Sequence, residues 1–146
     1  MQFSSRLTVA THILLYIAEY EKEEKITSTV LADTTNVNPV NIRKTLALLK
    51  QAGMIDIKSG VGGAYLIKKT EEIMLSDIFD AVEDPDAELF HFHDNPNTNC
   101  PVGRSIKSVL DTRLERLKQT MKDEMKDRTL ADMFYDMQKE IGRHGG

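Results

Sequence analysis

Asn38-Pro39-Val40-Asn41-Ile42-Arg43-Lys44-Thr45-Leu46-Ala47-Leu48-Leu49-Lys50-Gln51-Ala52-Gly53 decides the fold. Met54-Ile55-Asp56-Ile57-Lys58 and Ser59-Gly60-Val61-Gly62-Gly63-Ala64-Tyr65-Leu66-Ile67-Lys68 follow it. Asn38 is a good helix N-cap, and Pro39 suits the first helical position, where a missing N–H costs nothing. Ile42, Leu46 and Leu49 recur at spacings of four and three and so share one face. Gly53 stands just past the end, where a left-handed residue is wanted. Ile55 and Ile57 then alternate with Asp56 and Lys58 as in a half-buried strand. Gly60, Gly62 and Gly63 permit a tight tip before the return strand. The order is a capped helix, a glycine stop, a strand, a glycine tip and a second strand. That is a recognition helix followed by a β-hairpin wing.

The outward face of the helix carries Val40, Lys44, Ala47 and Gln51, flanked by Asn41 and Leu48 on one side and Arg43 and Lys50 on the other. Small, polar and cationic groups on one face suit a helix in a major groove. Asn can pair with an adenine edge, and Arg or Lys with guanine or phosphate. The same pattern also describes an ordinary solvated face, and the glycine tip an ordinary turn. No Gly-Lys-Ser/Thr follows the glycines, so they do not make a phosphate loop.

Upstream, Thr27 or Ser28 caps a short helix through Val30, Leu31 and Ala32 that ends near Thr34–Asn36. The helix–turn–helix is thus roughly Ser28 to Ala52, with the second helix reading bases. A first helix, about Ser5 to Glu21, carries Leu7, Ala10, Ile13, Leu14 and Ile17 on a core-facing stripe. The expected DNA-binding set is Arg6, Ser28, Asn38, Val40, Asn41, Arg43, Lys44, Lys58, Ser59, Gly60 and Gly62. Within it, Val40 and Asn41 read base edges. Lys58, Ser59 and the wing glycines sit against phosphate or the minor groove, and Arg6 and Ser28 add phosphate contacts.

The chain of 146 residues has a net charge of −4, which at first argues against a polyanionic partner. The distribution reverses that. Residues 1–70 hold 9 Lys/Arg and 6 Asp/Glu, a local charge of +3, while residues 71–146 hold 10 and 17, giving −7. Phosphate responds to the local patch, not the total. A domain of this size buries roughly two-thirds of its unfolded surface. No run of 18 apolar residues and no signal-peptide h-region are present. The single cysteine, Cys100, argues against a disulfide scaffold, so a cytoplasmic location is expected.

From Val102 to Met125 the apolar positions Val102, Ile106, Val109, Leu110, Leu114, Leu117, Met121 and Met125 make a stripe wider than a coiled-coil seam needs. A helix this broad packs on its own domain and on a partner helix at once. Arg113 interrupts the stripe and is expected to pair with a carboxylate or snorkel at its edge. Asp111, Glu115, Lys118 and Lys122 belong to the solvated face. A last helix, capped by Thr129, carries Leu130, Met133, Phe134, Met137 and Ile141. The fold class expected is mainly α with a small β-hairpin. A winged helix–turn–helix domain (1–83) leads through a connecting or sensor loop (84–101) to dimerisation helices (102–146).

Several motifs together resemble the Rrf2 family of winged-helix regulators, the family of the iron–sulfur cluster regulator and the nitric-oxide-sensing repressor. They are Ser5-Arg6, Val37-Asn38-Pro39, Leu49 to Gly53 with Ile55, and the Gly60, Tyr65-Leu66 wing. Ile73-Met74-Leu75-Ser76-Asp77-Ile78 to Ala81-Val82-Glu83 and Thr129-Leu130-Ala131-Asp132 complete the series. The resemblance implies a homodimeric repressor on a palindromic operator. Cluster-bearing members carry three cysteines between the fourth and fifth helices. Here Thr98 and Arg104 stand near the expected positions and Cys100 is alone, so no cofactor and no iron–sulfur cluster is expected. Ser59 occupies the place of a minor-groove arginine, with Lys58 the nearest substitute. Asn99-Cys100-Pro101-Val102-Gly103 resembles the single-cysteine subgroup.

Cys100 precedes Pro101 and so falls at a helix N-cap. Unpaired N–H groups, the helix dipole and the nearby Arg104 and Lys107 are all expected to lower its thiol pKa. That makes it a candidate sensor of oxidants or electrophiles. The alternative is a weakly capping, silent cysteine. His91, His93 and Cys100 also form a weaker candidate metal set. His12 and His144 read as structural or solvated, and the helically spaced methionines as core filler. No nucleophile elbow, nucleotide loop or zinc-protease motif appears, so an enzyme is not expected. A winged-helix module that binds proteins instead of DNA is the remaining alternative.

Overall fold

The structure is a computed structural model and describes residues 5–59, 62–84, 86, 90 and 92–143. Its elements run α1 (Arg6–Tyr20), α2 (Ser28–Thr35), α3 (Pro39–Gln51), β1 (Ile55–Ile57), β2 (Ala64–Leu66), a 3₁₀ turn (Thr70–Glu72), α4 (Leu75–Val82), α5 (Pro101–Met125) and α6 (Leu130–Arg143). This is the mainly helical winged helix–turn–helix expected, and local chemistry sets the boundaries of α2 and α3.

Thr27, and not Ser28, caps α2: its Oγ1 accepts from the Val30 N–H at 3.2 Å. The turn into α3 passes through Asn36, a left-handed residue with φ 57°. Asn is one of the few side chains that enter that region readily, because it bonds locally. Asn38 then caps α3, its Oδ1 accepting from the Val40 N–H at 2.8 Å. At the far end Gly53 has φ 80°. The Met54 N–H reaches the Leu49 carbonyl at 3.1 Å and the Gly53 N–H the Lys50 carbonyl at 3.0 Å. These two bonds make a Schellman ending, and it throws the chain directly into β1.

β1 and β2 pair antiparallel, with Ile55 opposite Leu66, Asp56 opposite Tyr65 and Ile57 opposite Ala64. Two bonds tie the ribbon to the body. The Ala64 N–H donates to the Ile26 carbonyl at 2.8 Å, and the Leu66 N–H donates to the Glu21 carboxylate at 2.8 Å. A two-stranded ribbon is marginal by itself, and these ties hold the wing beside the recognition helix.

The core gathers Ala10, Ile13, Leu14 and Ile17 of α1 with Leu31, the Ile42–Leu46–Leu49 face of α3, Ile55, Ile73, Ile78 and Leu130. The stripes read from the sequence of α1 and α3 are therefore the buried ones, with Leu7 only half-buried, whereas on α6 Leu130 is buried and Met133, Phe134, Met137 and Ile141 are half-buried. Leu130 is fully buried, which separates the two C-terminal helices in role. Although grouped with α5 in 102–146, α6 packs back on α1 and the 3₁₀ turn. The α5–α6 corner is pinned to the start of α4 by a short antiparallel bridge. The Leu75 N–H meets the Arg128 carbonyl at 2.8 Å, and the Leu130 N–H meets the Ile73 carbonyl at 2.7 Å. Thr129 and Asp132 form a reciprocal capping pair at 3.2 and 3.0 Å that starts α6.

Helix α5 stands apart. None of its 25 residues is buried, and Val102, Val109 and Leu117 are 72%, 56% and 54% exposed. Its chief neighbour is α4. Lys122, expected on the solvated face, instead lies over the Phe79 ring at 5.7 Å and 3.8 Å from the Asp80 carboxylate. Its aliphatic stem covers apolar surface while its ammonium finds charge. Arg113 is exposed and has no carboxylate partner among the described residues.

Candidate nucleic-acid interface

The outward face of α3 is built by subtraction. Ile42, Leu46 and Leu49 are buried, so the helix period leaves Val40, Asn41, Arg43, Lys44, Ala47 and Leu48 exposed on the other side. Val40 is 48% exposed. On a base-reading surface it offers a methyl-complementary contact to thymine. Asn41, Arg43 and Lys44 surround it. The Asn38 side-chain Oδ1 is engaged in capping, so this residue shapes the helix start. At the opposite end Lys50 pairs with Asp56 of β1 at 3.6 Å, which draws that cation toward the wing. Both groups are largely exposed, so the pair adds little stability.

The wing lies next in space as in sequence. The Lys58 N–H donates to the Gly63 carbonyl at 3.0 Å and closes the tip. Gly62 and Gly63 have φ of 74° and 106°. At Gly63 a Cβ would lie 3.3 Å from Lys25 Cγ and 3.4 Å from the Ile26 nitrogen. Both a positive φ and close backbone approach therefore select glycine there. Lys58 is exposed, with its ammonium 5.5 Å from the Tyr65 ring centroid, and Ser59 is exposed beside it. Gly60 lies outside the described residues. Arg6 opens α1 and is exposed; Ser28 is the first residue of α2 and half-buried.

Cys100 occupies the N-cap of α5 and is exposed. Its N–H donates to the Asn97 carbonyl at 3.2 Å, and Arg104 Nη1 donates to the Thr98 carbonyl at 3.2 Å. Gly103 is required by this arrangement, because a Cβ there would overlap the Asn97 carbonyl oxygen. The backbone N–H of Gly103, then that of Val102, holds the Cys100 thiol below its ordinary pKa. The expected help from side-chain cations is absent. Arg104 is turned to the Thr98 carbonyl, and Lys107 binds Asp111 at 3.0 Å with its ammonium 5.2 Å from the Phe92 ring centroid. Of the weaker metal set, His93 is exposed and His91 lies outside the described residues. Among the described residues no group of three or more His, Cys, Asp or Glu could hold a metal ion. Among them also, no helix is long and apolar enough to cross a membrane.

Sequence reasoning missed two features. One is a groove of about 600 Å³ between α1 and α6, with Leu15, Tyr16, Met133 and Met137 among its walls. The other is a cavity of about 780 Å³ between α1, α3 and α4. Each joins residues far apart in the chain, and no local pattern could have announced it.

Comparison with known proteins agrees with this geometry. The family model Rrf2, described as "Iron-dependent Transcriptional regulator", matches residues 3–136. YwnA of Bacillus subtilis (strain 168), provisionally named an HTH-type transcriptional regulator, is 40% identical over 131 residues, covering 90% of this chain and 96% of YwnA. A crystal structure provisionally described as a DNA-binding protein is 36% identical, with a TM-score of 0.69 over 88% of this chain and 98% of that one. The T. potens IscR structure, 19% identical, shares the fold at a TM-score of 0.69 over 94% of this chain and 88% of its own. The family is one of regulators and not of enzymes, as the motifs already implied. A winged helix–turn–helix with this element order, matched over most of its length, belongs to the Rrf2 family of transcriptional regulators.

Proposed function

We propose that this regulator is a cytoplasmic homodimeric repressor that binds a palindromic operator, each protomer laying α3 in a major groove and its wing against the neighbouring backbone or minor groove. The observation that carries the reading is the exposed face of α3: Val40 and Asn41 to read bases, Arg43 and Lys44 to read guanine or hold phosphate. Lys58, Ser59 and the wing glycines add backbone contacts, and Arg6 and Ser28 supplement them. Dimerisation is supported by α5, which carries an apolar stripe yet buries none of its 25 residues within its own chain. A second copy removes that stripe from water, and twofold symmetry fixes half-site spacing.

In this reading no iron–sulfur cluster takes part. One thiolate per chain is too few for a centre that wants about four strong ligands. The single cysteine argues against a cluster as the basis of the iron dependence in the family's description. Signal enters instead through Cys100, whose sulfur faces helix N–H groups and is open to oxidants or electrophiles. Its modification disturbs the Asn97–Gly103 turn and hence the seating of α5.

The test is an electrophoretic shift with the DNA upstream of the protein's own gene, across salt concentrations. Saturable, competitor-resistant binding is expected. Arg43→Ala or Lys44→Ala should each cost about 1–3 kcal/mol if the residue reads a base, and less, with a shallower salt slope, if it holds phosphate. No binding at low salt would turn the reading toward a protein-interaction module, which the acidic charge of residues 71–146 would suit.

A further inference from the structure

We propose that Glu21 is a positioning residue for DNA binding: its carboxylate seats the wing on the turn between α1 and α2, and so fixes the place from which Lys58 and Lys25 meet the DNA backbone. Resting on the operator reading above, this adds Lys25 to the contacts. Along a strand, successive N–H groups point to opposite sides. In β2 and just beyond it the Ile67 N–H turns inward to the Met54 carbonyl at 3.0 Å, while those of Ala64 and Leu66 turn away from β1. The outward donors form a sheet edge, which needs a cover or is left to water. The turn after α1 covers it. The Ile26 carbonyl accepts from Ala64 at 2.8 Å, and Glu21 Oε2 accepts from Leu66 at 2.8 Å. The two acceptors differ in kind. Ile26 is anchored, since its side chain is buried in the core. Glu21 follows the end of α1 and reaches β2 through its side chain alone. Held only at Ala64, a ribbon that is marginal by itself can pivot. Held also at Leu66, its direction is fixed.

The same turn brings a cation to the wing. Gly63 lies so near it that a Cβ there would stand 3.3 Å from Lys25 Cγ and 3.4 Å from the Ile26 nitrogen. Lys25 is exposed and makes no ion pair among the described residues. Of its acidic neighbours, Glu24 is drawn back onto α1 by the Tyr16 hydroxyl, which donates to it at 2.5 Å. Across the ribbon, the Lys58 N–H closes on the Gly63 carbonyl at 3.0 Å. Gly63 is therefore flanked by one lysine from the strand and one from the turn. Cations on both sides of a glycine tip suit a phosphate backbone, and each phosphate neutralised steepens the dependence on salt. Lys25 and Gly63 are remote in the chain, so only the fold brings this pair of lysines together. Because Glu21 holds β2 on the turn, it governs how the two cations stand toward each other.

The experiment titrates the full-length protein against the upstream DNA and an unrelated duplex by fluorescence anisotropy, across salt concentrations. Glu21→Ala and Glu21→Gln remove the same negative charge, which on charge alone strengthens DNA binding in both. Gln keeps an oxygen that accepts from Leu66. Glu21→Ala is therefore expected to weaken operator binding about fivefold or more, and Glu21→Gln to stay within about twofold of wild type. Lys25→Ala should weaken binding to both duplexes alike and flatten the salt slope by about one. Lys139→Ala, the same charge change on α6, should leave the slope as it is. Equal losses in the two Glu21 variants, tighter binding by Glu21→Ala, or a loss of active protein at unchanged affinity would overturn the positioning role. A slope in Lys25→Ala no flatter than in Lys139→Ala would overturn the Lys25 contact. Amide hydrogen exchange without DNA separates the seating of the wing from the operator reading. The Leu66 amide should exchange faster in Glu21→Ala and not in Glu21→Gln; unchanged exchange would overturn the seating. Faster exchange in a protein that binds no duplex would uphold the seating and overturn its role toward DNA.

Discussion

Replacing Gly53 with Ala isolates the backbone cost of the turn that joins the recognition helix to the wing. Gly53 has φ 80°, and a Cβ built there meets nothing within 4 Å. No overlap is created, so the penalty is conformational alone. Holding an L-residue with a Cβ in the left-handed region costs about 1–2 kcal/mol. The smaller unfolded-state entropy of Ala works against this, but it is worth at most about 1 kcal/mol and does not reverse the sign where φ is incompatible. A net loss of about 1–2 kcal/mol is expected, which for a chain of this size lowers Tm by roughly 3–7 °C. Gly53→Asn should lose less than about 1 kcal/mol, because Asn is the usual substitute at this helix position. Urea unfolding followed by circular dichroism, at one fixed protein concentration, measures all three proteins. Gly63→Ala is the contrasting case: φ is 106° and the new Cβ lies 3.3 Å from Lys25 Cγ, so a steric cost adds to the conformational one. If Gly53→Ala is neutral, or if Ala and Asn cost the same, then the left-handed ending is not what the position demands and the reasoning fails.

Three other outcomes follow. The rate of Cys100 alkylation by iodoacetamide should rise with an inflection below that of an ordinary thiol, since the Gly103 and Val102 N–H groups favour thiolate; an unshifted profile would remove the basis for sensing. Tyr16 donates to the Glu24 carboxylate at 2.5 Å, a bond that leads in raising its pKa to about 12. The folded state therefore holds this proton more tightly than the unfolded one. The bond's stabilisation is full below the ordinary tyrosine pKa, about 10, and is lost as pH rises toward about 12. Tyr16→Phe should abolish that alkaline decline in urea stability, and identical titration of all four tyrosines near their ordinary value would contradict it. Val109→Glu, at a position 56% exposed on α5, should shift the protein to monomer in sedimentation and weaken operator binding without lowering helix content; a dimer that survives would move the interface elsewhere.

What the chain announced by itself was local. Asn38-Pro39, Thr129 with Asp132, and Gly53 mark helix ends because capping and left-handed turns are decided within three or four residues. The faces of α1 and α3 were legible because a 3.6-residue period and a buried core leave no freedom of phase. The exposed set on α3 followed at once as the complement of Ile42, Leu46 and Leu49. Cys100 at an N-cap was visible for the same reason.

Only the tertiary structure decided where the wing leans, since that rests on Glu21 and Ile26 reaching β2 across more than thirty residues of sequence. It alone drew α6 back onto α1 while leaving α5 bare, a difference two similarly amphipathic helices do not declare. It took Arg104 and Lys107 away from Cys100, put Lys122 against Phe79 and Asp80, and opened a cavity behind the recognition helix. Local hydrogen bonding and periodicity write elements into a sequence. The contacts between elements depend on distances that no neighbouring residues encode.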